Sequence, residues 1–284
     1  MPLSRESIRI AYEDACRGEI EALKPGNVHV FADGHGMTVE QFLVSARMSS
    51  GSLTDPGLPA GRRILEAVRA TREAVGANTN LGIILLSAPL IRAAERPGDL
   101  RENLGQVLDG MDMDDARAVF EAIARASPGG LGSAERHDVR EEPKVPLLEA
   151  MREAASRDMI ARQYATNFED VFATGHPALQ AALGRGESGM WPTIAAYMAF
   201  LTAFPDSHVS RKFGRRVAAR VQGEAGRVRD RLEIAPDEQA RIDILTRFDR
   251  DLKARAINPG TSADLTMACL LVYTLSAQLA RPLR

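Results

Sequence analysis

Apolar residues recur three and four positions apart along most of the chain, and polar, Gly- and Pro-rich segments separate these runs. Behind Ser4, a residue suited to capping, Ile8, Ala11, Tyr12, Ala15 and Cys16 fall on one helical face, which predicts a helix to about Leu23. Thr38 and Gln41 have capping-box spacing in front of "VEQFLVSARMSSGSL". "TDPGLPAG" reads as a turn cluster, and the amphipathic "RRILEAVRATREAVG" follows it. "IILLSAPLIRAAE" is apolar on every side and predicts a buried helix. "RENLGQVLDGM" and "DDARAVFEAIARAS" predict two short helices around an acidic turn at Asp112, Asp114 and Asp115.

The stretch from Leu147 to Gly175 reads as one long helix, or as two broken near Asn167. After it come a helix ended by "FPDSHVS", an Arg-rich helix to about Glu233, and a helix begun by Asp237. A last apolar helix is expected to be capped by Ser262 or Thr261. No alternating strand, repeat or low-complexity linker interrupts the pattern. The expectation is an all-α fold, one compact multi-helix domain over residues 1–284 with its polar loops gathered at one end.

Composition narrows the function classes. Hydrophobic residues make up 45% of the 284 and charged residues 26%, enough for a sizeable core, while aromatics at 5% argue against a sandwich or barrel. A net charge of −2 speaks against a nucleic-acid surface, but the arginines between Ser210 and Arg231 leave room for a small anionic ligand. Cys16 and Cys269 sit in apolar helical patterns, as buried thiols do in a reducing compartment. The charged N-terminus is no signal peptide, and the longest apolar run, "LGIILLSAPLI", is too short for a bilayer. A cytoplasmic protein without membrane or nucleic-acid partners is expected, with a homodimer left open.

Five segments at helix boundaries combine small or turn-forming residues with Asp, Asn, His, Lys or Thr: "KPGNVH", "NTNLG", "GGLGSAERHDV", "PDSHVSRK" and "NPGTSADL". Singly, each reads as a capped turn. Clustered at one end of a bundle, they would form a pocket where helix N-termini offer free N–H groups to an anion. "GGLG" lacks the Lys-Ser/Thr of a phosphate loop, no G-x-S-x-G elbow occurs, and the five histidines lack zinc-site spacing. Mg²⁺, which takes a few carboxylates together with phosphate oxygens, suits the chain better than zinc.

The order of these five segments resembles the triphosphoribosyl-dephospho-CoA synthase (CitG/MdcB-type) family, and the likeness runs from Lys24 to the final helix. The resemblance implies an all-helical transferase that moves the 5-triphosphoribosyl group of ATP to the 2′-hydroxyl of 3′-dephospho-CoA and releases adenine. On that basis Lys24 is the expected phosphate contact, helped by Arg211 and Lys212, within a cofactor-binding set that includes Gly26 and Asn27. Thr79 and Asn80 would orient the ribose or base. Asp33, Asp138 and Asp206 are the candidate bases, Asp138 and Asp206 the candidate Mg²⁺ ligands, and His29 the candidate proton-transfer or phosphate-binding group. Asp264 is either a site residue or a helix cap.

The chain departs from the citrate-lyase branch at Asn27-Val28-His29, Leu81-Gly82 and Asp206-Ser207-His208. It is more similar to the branch of archaea and methylotrophic bacteria, which implies a pterin-like acceptor and a role in tetrahydromethanopterin or methanofuran synthesis. A ligand-binding or assembly protein without turnover, and a scaffold whose loops are only caps, remain the alternatives.

Overall fold

Side-chain caps start half of the α-helices described in this computed structural model, which covers residues 2–129, 131–133 and 136–280. Gly130 and Glu135 of the second glycine-rich loop lie outside the described residues. The Ser7 amide donates to Ser4 Oγ at 3.1 Å at the head of α1 (Arg5–Glu21). The Thr38–Gln41 capping box forms in both directions at the head of α2 (Val39–Leu53). Then follow α3 (Ala60–Val75), α4 (Leu81–Ala94), α5 (Leu100–Asp109) and α6 (Met113–Ala126), the last with a second capping box between Asp112 and Asp115. The described residues hold no strand, only two isolated bridges, His29 with Ala32 and Gly34 with Met37.

The long apolar stretch divides more than its periodicity predicts. It forms α7 (Leu147–Ala154) and α8 (Met159–Ala165), separated by a break at which Asp158 caps α8. Asn167 and Phe168 then take left-handed φ values of 51° and 56°, and a π-helical turn, Val171–Gly175, runs directly into α9 (His176–Gly184). Gly175 marks a close approach, since a Cβ there would lie 2.6 Å from Cys269 Sγ.

Four further helices, α10 (Trp191–Ala203), α11 (Ser207–Phe213), α12 (Arg215–Glu233) and α13 (Glu238–Ala254), precede α14 (Gly260–Leu279). No side chain caps α14: Pro259 holds the cap position, and Thr261 and Ser262 lie within the first turn. The helix is long and apolar enough by composition to cross a bilayer, a property the sequence reading assigned to no segment. Here it runs through the interior and packs against α1, α4 and α10. One apolar cluster joins α1 to α8 with α14, and a second is built by α10, α12 and α13 around Tyr197 and Leu245. In α12 only Ala218, Val221, Ala225 and Val228 are buried, so the Arg-rich stretch is largely a solvated face.

Candidate active site

All five polar segments meet at one cavity of about 730 Å³. Asn27 comes from the first segment, Asn78, Thr79 and Gly82 from the second, and His137 and Asp138 from the third. His208 and Arg211 come from the fourth, and Asn258, Thr261 and Asp264 from the fifth. Direct hydrogen bonds tie the walls together. Asn27 Nδ2 donates to Asn258 Oδ1 at 2.8 Å, the Ser45 and Thr79 hydroxyls are 2.6 Å apart, and the His208 amide donates to Thr261 Oγ1 at 3.1 Å. Phe42, Leu85, Phe120 and Ile160 supply an apolar side.

One side of the cavity is electropositive. The first turns of α4 and α14 reach it at Gly82 and Gly260, where amides without intrahelical partners and the helix dipoles favour an anion. Arg72, Arg157, Arg211 and Arg215 stand around the same space. Arg211 is aimed by Asp158, whose Oδ2 accepts from Nη1 at 2.9 Å while Oδ1 caps α8 through the Ile160 and Ala161 amides. Burial, with the charges of Arg211 and Lys212 nearby, pushes the His208 imidazole down to about 4, so it is neutral at pH 7.

Two carboxylates face the cavity from different helices. Glu19, buried on α1, accepts from Lys24 Nζ at 3.0 Å, and the same ammonium donates to the Val28 carbonyl at 2.8 Å. Burial pushes Glu19 up and Lys24 down, and each opposes the shift of the other. Asp264, on α14, lies against Gly82 and accepts no hydrogen bond among the described residues. It is half-buried with its open side toward the cavity. Desolvation first, then the charges of Glu19 and Asp206, drive its carboxyl well above the usual range. It is therefore no helix cap.

Of the expected site residues, Asn27, Thr79, Asp138 and Arg211 stand in the cavity wall. Asp138 Oδ1 also accepts the Arg140 amide at 3.0 Å. Seven others lie elsewhere, and each has a structural occupation. Lys24 is fully enclosed behind Glu19, so it supports the wall instead of reaching a phosphate. Gly26 makes a left-handed turn at φ 83°, where a Cβ would meet Pro259 Cδ at 2.8 Å. His29 is buried with Nε2 3.2 Å from Asp249 Oδ1 and is held below its ordinary pKa, chiefly by burial. Asp33 is exposed and accepts the Val39 amide at the start of α2. Asn80, in the cap position of α4, donates to Ser49 Oγ at 3.4 Å. Asp206 spends both oxygens on scaffold, accepting the Val209 amide at 3.0 Å and the Ser262 amide and hydroxyl at 2.8 and 2.9 Å. Lys212 is exposed above the Phe213 ring.

Glu19 escaped the loop-based reading because it lies inside a helix, whereas Asp264, expected as either a site residue or a cap, stands in the cavity wall. A signal was nonetheless present. Glu19 continues the apolar stripe of Ile8, Tyr12 and Cys16, and Asp264 is the only charged residue in α14. Charges placed on buried faces need a reason.

The family model described as CitG, ATP:dephospho-CoA triphosphoribosyl transferase, matches residues 5–282. The chain belongs to the CitG family. Among solved structures it is similar to the crystal structure of a candidate triphosphoribosyl-dephospho-CoA synthase from Archaeoglobus fulgidus. The two share 26% identity and a TM-score of 0.65 over 82% of this chain and 98% of that one. No curated protein matches the sequence. As a CitG-family member the chain is a transferase, of a family whose substrates are ATP and dephospho-CoA.

Proposed function

We propose that the chain transfers the triphosphoribosyl group of ATP to a hydroxyl of dephospho-CoA or a related acceptor within the 730 Å³ cavity. The observation that carries this reading is the meeting of all five polar segments at that one cavity, with arginines and helix N-termini beside the carboxylates of Glu19 and Asp264. The volume lies in the ordinary range for small-molecule sites. Arg157, Arg211 and Arg215, with the first turns of α4 and α14, would hold the triphosphate.

Mg²⁺ fits this wall in one mode. Among the described residues no group of three His, Cys, Asp or Glu forms a cage. Asp138 alone of the two expected ligands lines the cavity, and Mg²⁺ is commonly held by one carboxylate and substrate phosphates. Bound there, it would neutralise triphosphate charge. Asp206 has no oxygen to spare.

The positions at which the chain departs from the dephospho-CoA pattern support an altered acceptor. Asn27, Leu81, Gly82 and His208 all touch the cavity, whereas His29 does not. A pterin-like acceptor in one-carbon cofactor synthesis is the specific version of this proposal. The test is incubation with ATP, Mg²⁺ and either dephospho-CoA or a reduced pterin, with free adenine measured by chromatography. Acceptor-dependent adenine release is the expected result, and its absence with every acceptor would overturn the proposal.

A further inference from the structure

Two of the carboxylates that wall the cavity stand in opposite circumstances. Glu19 is held at 3.0 Å by a fully enclosed ammonium, whereas Asp264 has no hydrogen-bond donor among the described residues and rests on Gly82. We propose that they are the catalytic pair of the transfer, Glu19 the base for the attacking hydroxyl and Asp264 the acid for the departing adenine. The proposal rests on the transferase reading of this cavity.

In the step, a C1′–O bond forms to the acceptor hydroxyl as the C1′–N9 bond to adenine breaks, through an oxocarbenium-like state of the kind seen in glycoside cleavage. The hydroxyl proton passes to the Glu19 carboxylate. The electron pair of the broken bond stays with adenine, which takes the Asp264 proton on a ring nitrogen. The step leaves Glu19 protonated and Asp264 ionised, and exchange of one proton through water restores both. Adenine leaves poorly as an anion, so an acid beside it removes the largest part of the chemical cost.

The surroundings assign the roles. Burial raises the Asp264 carboxyl most, and of the charges that act on it those of Glu19 on α1, Asp206 at the cap of α11 and Asp158 at the head of α8 raise it further while Arg211 opposes them. Such a carboxyl keeps its proton. Glu19 faces Lys24, with Asp249 and Lys253 beyond it. The ammonium favours the ionised form, while burial keeps the carboxylate basic enough to accept a proton. Burial raises both carboxyls, but only Glu19 has an ammonium at 3.0 Å to oppose the rise, and two carboxyls of unequal proton affinity in one cavity can serve as an acid–base pair. Lys24 is then a positioning residue that acts through Glu19.

The test compares ATP with N7-methylated ATP, whose cationic base departs without taking a proton. With ATP, Asp264→Asn is expected to lower kcat by about 10²-fold or more, and the methylated nucleotide is expected to restore most of it. The double variant Glu19→Gln/Lys24→Met, which removes both buried charges together, is expected to be slow with either nucleotide and to lack the rise of kcat with pH that ionisation of a Glu19 base would give the wild type. Calorimetric ATP binding within about threefold of the wild type shows that the site is intact in each variant. Asp264→Asn activity within about threefold of the wild type on ATP overturns the acid, as does a methylated substrate that gives no rescue. An unimpaired double variant overturns the base. Failure of the wild-type chain to release adenine with any acceptor overturns the transferase reading itself, and the pair with it.

Discussion

A Cβ built on Gly82 would lie 2.5 Å from Asp264 Cγ, so the helix α4 approaches α14 closely enough for the carboxyl to rest on bare backbone. Gly82 has no positive φ to explain it, and steric room for Asp264 accounts for it instead.

Gly82→Ala is expected to separate activity from stability. Alanine is the better helix former by about 1 kcal/mol, which offsets part of the local clash. Displacement of Asp264 should lower the rate of adenine release by about 10²-fold, as small misplacements of reacting groups do. Steady-state kinetics beside a thermal melt checks both halves, and full activity in the alanine variant would remove the packing account.

Lys24→Met should destabilise the chain far more than a surface lysine would. It leaves Glu19 buried without its partner, a change that typically costs about 3–5 kcal/mol. Adding Glu19→Gln should recover much of the loss. Urea unfolding of the two single variants and the double variant gives the coupling between the residues.

Asp264→Asn should raise thermal stability at neutral pH. The folded carboxyl binds its proton more tightly than the unfolded one, whose ordinary pKa is 3.8. Wild-type stability from this group is therefore fully present below pH 3.8 and falls as pH rises toward the elevated folded value. Asparagine does not ionise, so the gain of the variant should vanish near pH 3.8 and grow with pH. Melting temperatures across that window measure it.

Arg211→Ala should raise KM for ATP by about tenfold or more, the weight of a hydrogen bond to a charged group. A smaller change in kcat is expected, because the arginine is placed to hold phosphate and not the reacting sugar carbon. Calorimetric titration with ATP and with inorganic triphosphate should show losses of similar size, since the lost contact is to the shared phosphates.

Helical periodicity and cap residues were enough to place most helices. Ser4, Thr38, Asp112 and Asp237 cap through bonds to backbone amides nearby in sequence, and local chemistry of that kind does not depend on the rest of the fold. The order of the five polar segments was likewise enough for the family. Periodicity failed between Leu147 and Gly184, where the helices are cut and rejoined by a π-helical turn at a contact with Cys269, far away in sequence.

At the site, the sequence determined which residues are polar near helix ends, and the tertiary structure decided which of them face the cavity. Lys24, His29 and Asp206 have the chemistry of site residues, but Glu19 of α1, Asp249 of α13 and Ser262 of α14 occupy them. A lysine that meets a buried carboxylate is structural, and the same lysine facing an open cavity would bind phosphate. Glu19, by contrast, sits on a helical stripe and Asp264 in a segment that reads equally as a cap, so the role of each depends on what packs opposite. That partner is set by long-range packing of α1 and α4 on α14, which no local pattern encodes.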